Sequence, residues 1–134
     1  MELTLAQLRE AGSTHLPGLV GVEVYEAADG IVRARLPIEE RHWAPNGYLH
    51  AGTVVTLADT ACGYGCILSL PEGATGFTTI ELKTNFLRSV REGTIDCEAR
   101  RVHGGRTTQL WDATVADPDG RTMALFRCTQ LILS

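Results

Sequence analysis

The sequence predicts an α+β domain, in which an antiparallel sheet of five or six strands curls around one long central helix. Two observations favour this class. One apolar segment within residues 42–70 has helical spacing, and strand-like runs separated by tight turns lie on both sides of it. No linker, repeat or low-complexity stretch divides the 134 residues, so we expect one domain spanning residues 1–134.

The elements before the apolar segment are short. Residues 3–11 predict a helix that ends near Gly12. Residues 20–38 predict a β-hairpin, because two runs rich in valine and isoleucine flank a turn at 28–30. Residues 41–48 contain Trp, Pro, Asn and Gly and predict a loop.

The apolar segment predicts a buried helix. Apolar residues recur at helical spacing on one face and also occupy other faces, which is typical of a helix inside a core. Its middle is rich in small residues, which lower helix propensity and therefore indicate the close approach of a sheet or a second helix. These residues are Ala58, Ala61, Cys62, Gly63, Gly65 and Cys66.

The second half of the chain predicts strands. The strand-like runs are 77–88, 94–103, 107–116 and 121–133. Because tight turns join consecutive runs, we expect an antiparallel meander of three to four strands, with its open edges covered by dimerisation. In the first run, the residues expected on one side are Ile80, Leu82, Thr84 and Phe86.

Composition excludes several classes of function. The formal net charge of −4 does not draw the whole chain to nucleic acid or to an anionic membrane. No apolar run reaches membrane-spanning length without breaks, and the N-terminal residues lack the pattern of a signal peptide. We therefore expect a cytoplasmic protein. The four cysteines lack zinc-site spacing, so we expect reduced, buried thiols and no metal.

Asp59 is the one formally charged side chain within residues 42–70. Asp is a poor helix-interior residue, and an isolated buried carboxylate is costly. Because no Lys or Arg lies between Arg41 and Lys83, a charged partner would come from a distant strand or another subunit. A poorly solvated carboxylate in an apolar groove is a reactive base or nucleophile. Asp59 is therefore either a functional acid or one satisfied by nearby hydroxyl and backbone groups.

The sequence NGYLHAG at 46–52 precedes the predicted helix. The first amides of a helix lack intrahelical partners and favour negative charge. Fixed N–H donors at such a place can form an oxyanion hole, which stabilises an oxygen that develops negative charge. The same residues are also compatible with a plain turn in which His50 is a cap or core residue.

The stretch NGYLHAGTVVTLADTACGYGC resembles the signature of hot-dog-fold acyl-CoA thioesterases of the phenylacetic-acid degradation type, in the 4-hydroxybenzoyl-CoA thioesterase superfamily. That signature has Gly-x-x-His-Gly-Gly and an acid nine residues after the histidine, a spacing that Gly47, His50 and Asp59 meet. The stretches TTIELKTNFLRSVREG, GGRT and ALFRCTQ resemble the family's strands. The resemblance implies the hot-dog fold and hydrolysis of acyl-CoA to free acid and coenzyme A, without a metal or other cofactor.

The resemblance also implies site residues. Asp59 would be the catalytic nucleophile or general base, the Ala51 N–H would bind the thioester oxygen, and His50 would shape the loop by hydrogen bonding. Thr79 would hold the attacking water. In this family the site lies across a homodimer interface and a homotetramer is expected, so we expect Asp59 and Thr79 to come from different subunits.

Two departures from the family pattern concern the loop. Glycine usually occupies the position of Ala51, and many members carry Asn or Gln where this chain has Ala44. Either Asn46 takes over that polar contact with the substrate, or the contact is missing. The resemblance also implies that His50 and Gly52 belong to the substrate-binding loop.

The sequence predicts less about contacts with the coenzyme A phosphates and the acyl group. We expect Arg88 or Arg106 to bind the phosphates of coenzyme A through charge-assisted hydrogen bonds. Candidate walls for an aromatic acyl group are Trp43, Tyr48, Tyr64 and Phe77.

Three alternatives compete with the thioesterase interpretation. A non-catalytic acyl-CoA-binding module or a purely structural dimerising domain would not need Asp59. A hot-dog dehydratase or hydratase of hydroxyacyl thioesters would need a histidine paired with the acid. Nine residues of helix place His50 and Asp59 on opposite faces, which argues against that pairing within one subunit.

Overall fold

Two short helices open the chain in the computed structural model, which describes residues 3–134. Helix α1 spans Leu5–Gly12 and helix α2 spans Leu16–Val20. Thr4 and Gln7 form a capping box at the start of α1, so the predicted helix is confirmed. Helix α2 was not predicted, because five residues are too few to show a helical period.

Six strands form one antiparallel sheet. Their bounds are Glu23–Ala28 for β1, Ile31–Pro37 for β2, Gly76–Phe86 for β3, Thr94–Gly104 for β4, Thr108–Ala116 for β5 and Thr122–Leu133 for β6. The order across the sheet is β1-β2-β4-β5-β6-β3. Strands β1 and β2 are the predicted hairpin, and Gly30 in its turn has a φ of +77°.

The position of β3 differs from the predicted meander. Strands β4, β5 and β6 follow one another as expected, but β3 pairs with β6 at the far edge of the sheet. Segment 87–93 carries the chain past two strands, with the Leu87 N–H donating to the Met123 carbonyl and the Ile38 N–H donating to the Gly93 carbonyl. A sequence pattern specifies the faces of a strand but not its neighbour, because pairing depends on distant residues.

The central helix α3 spans Ala51–Leu68 and packs mainly across β2, β4 and β5. Its small residues allow this close packing. A Cβ added at Gly65 would lie 2.3 Å from Cη2 of Trp111, and one added at Gly63 would lie 3.2 Å from Cζ of Phe77. The predicted buried helix is therefore confirmed, and strands occupy the space that larger side chains would need.

Helix α3 is long and apolar enough to span a membrane by length and hydropathy alone. In this structure half of it is buried against the sheet, as in the core of a folded domain. The four cysteines, Cys62, Cys66, Cys97 and Cys128, are buried and form no disulfide. The prediction that they are buried is confirmed.

Strand β3 leaves an apolar edge on the sheet. A β-bulge at Ile80 separates the pairing of Thr79 with β6 from the pairing of Leu82 with Cys128. The prediction that Ile80 shares one face of the strand with Leu82, Thr84 and Phe86 is therefore wrong for Ile80. The bulge shifts the alternation of side chains by one residue. Ile80, Leu82 and Phe86 are 57%, 42% and 45% exposed, so this edge presents apolar side chains to solvent.

Candidate active site

Asp59 lines an open groove of about 360 Å³ between α3, the two N-terminal helices and β3. The groove is mostly apolar, and its other lining residues are Leu8, Pro17, Thr60, Gly63, Tyr64, Ile67 and Phe77. The lone acid of the central helix thus faces a space of ligand size rather than the centre of the core.

The surroundings of Asp59 favour its neutral form. Its Oδ1 atom is buried and has no hydrogen-bond partner among residues 3–134. Burial raises the pKa of Asp59, and the nearby Thr79 hydroxyl lowers it only in part. No charged neighbour in the described chain contributes to this shift. A raised pKa makes the ionised carboxylate a stronger base at neutral pH.

Thr79 lies on β3 directly opposite Gln130 of β6. Its hydroxyl donates to Gln130 Oε1 at 2.7 Å. A hydroxyl has one proton, so Gln130 Oε1 and the Asp59 carboxylate compete for it. The 2.7 Å contact gives the proton to Gln130 and leaves Asp59 Oδ1 without a partner. Thr79 lowers the pKa of Asp59 only when its hydroxyl turns towards the acid. Thr79 and Asp59 thus meet within one chain, which corrects the expectation that they come from different subunits.

The N-terminus of α3 presents the Ala51 amide. His50 is the N-cap, and its Nδ1 accepts the Gly52 N–H at 2.7 Å. The His50 carbonyl accepts the Thr53 N–H at 3.0 Å. The Ala51 N–H has no protein acceptor within residues 3–134, and Ala51 is exposed. This donor at the positive end of the helix suits a developing oxyanion.

One chain does not bring Asp59 and the Ala51 amide together. They are eight residues apart on a single helix, which places them about 12 Å apart along its axis at about 1.5 Å per residue. A thioester carbonyl within about 3 Å of the carboxylate cannot also accept a hydrogen bond from the Ala51 amide of the same chain.

Ala44 and Asn46 lie in the turn before α3. The Gly47 N–H donates to the Ala44 carbonyl at 2.9 Å, and Gly47 has a φ of +84°. Asn46 Oδ1 accepts the Tyr48 N–H at 3.1 Å, so the carbonyl end of this side chain stabilises the turn. Asn46 is exposed at the tip of the loop.

The segment that holds these features, residues 46–124, matches the thioesterase superfamily. The chain belongs to this superfamily. The putative esterase ComA2 of Bacillus subtilis is 33% identical over 114 residues, which cover 85% of this chain and 90% of the relative. The 1,4-dihydroxy-2-naphthoyl-CoA hydrolase of Escherichia coli is 30% identical over 135 residues, covering 98% of this chain and 96% of the relative.

The structural comparison agrees with this assignment. The crystal structure of thioesterase HI1161 from Haemophilus influenzae has a TM-score of 0.91 at 26% identity, covering 100% of this chain and 93% of that chain. The protein is therefore a hot-dog-fold thioesterase, and its enzyme class is thioester hydrolase. Within the described part of the chain, no three His, Cys, Asp or Glu side chains converge in a way that could hold a metal ion.

The two predicted phosphate-binding arginines of this thioesterase lie at opposite ends of the sheet. Arg88 follows β3 at the end where α3 begins. Arg106 precedes Thr107, whose carbonyl accepts the Ile132 N–H opposite the start of β3. Strand β3 has 11 residues, and a strand of this length spans about 34 Å. One phosphate group cannot contact both arginines of a single chain.

Two of the four candidate aromatic residues line the groove, namely Tyr64 and Phe77. The other two belong to the loop before α3. Trp43 Nε1–H donates to the Arg91 carbonyl at 2.7 Å, and the Arg91 guanidinium lies 5.2 Å from the centre of the Tyr48 ring. These contacts stabilise the loop that leads to the free amide.

Sequence reasoning missed Gln130. This side chain is completely buried, and its amide contacts Thr79 through Oε1 and Cys128 Sγ through Nε2, the latter at 3.4 Å. The available signal was its position: Gln130 continues the period-two series of inward residues that includes Phe126 and Cys128. A polar residue at a buried strand position is more informative than an apolar one.

Proposed function

We propose that this thioesterase hydrolyses acyl-CoA to a free acid and coenzyme A, without a metal or other cofactor. The observation that carries the proposal is the Asp59 carboxylate, which has a buried Oδ1 without a partner in an apolar groove. Thiolates leave readily, so one base or nucleophile and one oxyanion donor are sufficient for this reaction.

Asp59 has two possible routes. As a general base it takes a proton from water while the water oxygen adds to the thioester carbonyl. As a nucleophile it adds to the carbonyl itself, and water then hydrolyses the resulting anhydride. In both routes the carbonyl oxygen accepts the Ala51 N–H, and the carbon–sulfur bond breaks to release the coenzyme A thiolate. Only the nucleophilic route can exchange an Asp59 oxygen. When water attacks the Asp59 carbonyl of the anhydride, one Asp59 oxygen leaves with the product and a solvent oxygen takes its place.

The minimal active unit in this proposal is a homodimer. Because the two groups are about 12 Å apart along one helix, the amide that acts with Asp59 comes from a second copy of the chain. The exposed apolar edge at Ile80, Leu82 and Phe86 offers a surface for that copy. The family resemblance further leads us to expect a homotetramer, and the sequence composition leads us to expect a cytoplasmic location.

The groove is the proposed acyl site. From Asp59 to Ile67 it follows α3 for eight residues, a length of about 12 Å. Tyr64 and Phe77 provide aromatic walls, which suit an aryl group of one or two rings. The relative that is a 1,4-dihydroxy-2-naphthoyl-CoA hydrolase carries an aromatic acyl group in its name, which supports this preference.

Replacement of Asp59 by Asn tests the proposed chemistry. Coenzyme A release from benzoyl-, phenylacetyl-, naphthoyl- and octanoyl-CoA should fall in kcat by about 10²–10⁴-fold. The Asp29→Asn variant is the matched control, because Asp29 is 83% exposed in the β1–β2 turn. Retained activity of the Asp59 variant on every substrate would remove this mechanism. A parent protein that binds acyl-CoA but releases no coenzyme A would support the non-catalytic binding module.

Complementation tests the two-chain site. Proline is well tolerated at the first position of a helix, so Ala51→Pro removes only the amide donor, and the extended conformation of His50 suits a residue before proline. Mixed dimers of Ala51→Pro and Asp59→Asn chains contain one intact site. Random mixing should therefore restore about a quarter of parental activity. No recovery after subunit exchange would place both groups in one chain.

The phosphate contacts have their own test. Arg88→Ala or Arg106→Ala should raise KM for an acyl-CoA substrate through loss of a charge-assisted hydrogen bond. The same variants should leave KM unchanged for the corresponding acyl-pantetheine, which lacks these phosphates. An equal change for both substrates would exclude that arginine as a phosphate ligand.

A further inference from the structure

We propose that Gln130 is a positioning residue, which orients the Thr79 hydroxyl so that its oxygen accepts a hydrogen bond from the attacking water. Thr79 and Asp59 then hold this water together. The inference rests on the proposed acyl-CoA hydrolysis and adds a residue that does not touch the substrate.

Gln130 is held in place by its surroundings. It is 0% exposed and lies in β6 between two partner strands, opposite Thr79 on one side and Gln109 on the other. Its Oε1 accepts the Thr79 hydroxyl at 2.7 Å, and its Nε2 donates to Cys128 Sγ at 3.4 Å. Both ends of the amide are therefore used, which stabilises one orientation of a buried polar group.

The single hydroxyl proton of Thr79 determines which hydrogen bonds this residue can form with a water in the groove. A threonine hydroxyl has one proton and two lone pairs. Because the proton is donated to Gln130, the oxygen of Thr79 can only accept further hydrogen bonds. The ionised carboxylate of Asp59 is also an acceptor, and its Oδ1 has no protein donor among residues 3–134. The two residues together present acceptors and no donor.

A pair of acceptors suits a nucleophilic water. The water donates one hydrogen to Asp59 and the other to Thr79, which leaves a lone pair for the carbonyl carbon. As the new carbon–oxygen bond forms, Asp59 takes its proton, and the second hydrogen stays on the oxygen that becomes part of the acid. The carbon–sulfur bond breaks, and the proton taken by Asp59 passes to the thiolate, which returns Asp59 to its ionised form. This arrangement favours the general-base route over attack by Asp59 itself.

Without the Gln130 acceptor the Thr79 proton is free to turn towards Asp59. A hydrogen bond donated to the carboxylate stabilises its charged form and lowers its pKa. Asp59 then becomes a weaker base, and the water loses its second acceptor. Gln130 therefore preserves the basicity that burial produces.

Replacement of Gln130 by Met tests this inference, because Met has a similar length and no hydrogen-bonding amide. We expect kcat to fall by about tenfold or more, with KM within twofold of the parent. The acidic limb of the kcat/KM profile should move to lower pH. The ¹³C NMR titration of the Asp59 carboxyl should also show a lower pKa, and this readout does not depend on activity.

The Thr79→Val background separates positioning from stability. If Gln130 acts through Thr79, adding Gln130→Met to Thr79→Val should have no further effect on kcat, whereas Thr79→Ser should retain the dependence on Gln130. Gln109→Met is the matched control. Gln109 is also buried, but it contacts Trp111 and Ser69, so its loss should leave the Asp59 titration unchanged.

Several results would overturn the inference. An unchanged or higher pKa of Asp59 in the Gln130→Met variant means that Gln130 donates to Thr79 rather than accepting from it. Independent, multiplicative effects of Gln130→Met and Thr79→Val on kcat mean that Gln130 does not act through Thr79. Gln130→Leu replaces the Met variant if near-ultraviolet circular dichroism shows that the latter is unfolded. A parent enzyme without thioesterase activity refutes the proposed function, while the NMR titration still decides the orientation of Gln130.

Discussion

Replacement of Asp59 by Asn should stabilise the folded protein while it removes activity. Asn has nearly the same shape but no charge, and Asp59 has a buried oxygen without a partner. An unsatisfied buried polar group costs about 1–3 kcal/mol, and a charged one costs more. Asn keeps a polar group here, so the gain is the extra cost of the charge, which we take as about 1 kcal/mol at pH 7 because the groove is open. For 134 residues the unfolding entropy is about 280 cal/mol/K, so Tm should rise by about 3–4 °C.

The pH dependence of this gain follows from the raised pKa of Asp59. In the unfolded chain an Asp carboxyl has a pKa of about 3.9. Because the folded-state pKa is higher, the stabilising contribution of the neutral carboxyl is complete below the unfolded pKa and is lost as pH rises through the folded pKa. The Asn side chain does not titrate. The difference in unfolding free energy between variant and parent should therefore be small near pH 3 and reach its full value above the folded pKa.

Urea unfolding followed by circular dichroism between pH 3 and 8 measures this difference. Asp117→Asn is a control for which we expect the opposite change in unfolding free energy. Burial raises the pKa of Asp117, but the N–H groups of Arg121 and Asp119, each 2.9 Å from Oδ1, outweigh burial and lower it. Its variant should lose stability at neutral pH, and the loss should disappear as pH falls through the folded pKa. If Asp59→Asn is also destabilising at pH 7, the carboxylate has a partner and the reasoning fails.

Two further predictions concern helix α3. Gly65→Ala places a Cβ 2.3 Å from the Trp111 ring, so its unfolding free energy should fall by about 1–3 kcal/mol in urea. Gly76→Ala, where an added Cβ meets nothing within 4 Å, should be close to neutral in the same assay. His50→Ala removes the acceptor of the Gly52 N–H and should cost about 1 kcal/mol. It should also lower kcat, because the helix end that carries the oxyanion donor is less fixed; a parental melting temperature would reject this role.

The fold was predictable because its main elements have strong local signals. Helix α3 combines helical spacing with small residues, and each strand is bounded by turn sequences. The position of β3 beside β6 was not predictable from these signals. It depends on segment 87–93, which has no periodicity and takes its path from contacts with residues far along the chain.

Site residues were predictable where a single residue type is unusual for its position. They were less predictable where their contacts depend on the register between strands. Asp59 is conspicuous as a lone acid in an apolar helix. The contact between Thr79 and Gln130 depends on the pairing of two strands separated by about fifty residues, and the bulge at Ile80 changes the alternation immediately after it. Strand patterns assume an unbroken period of two, so they misassign a residue at the point where the sheet deviates from that period.

The basicity of Asp59 arises from packing rather than from a charged neighbour. Gly63 allows the Phe77 ring to approach α3, and both residues line the groove that shields the carboxylate from water. Burial is the main influence on the pKa of Asp59, and no charged group among the described residues contributes. Salt screens interactions between charges but does not change the burial of the carboxylate by neighbouring side chains. The acidic limb of the pH–rate profile should therefore stay at the same pH between low and high ionic strength. A shift with salt would reveal a charged partner of Asp59, which would then have to come from a second copy of the chain.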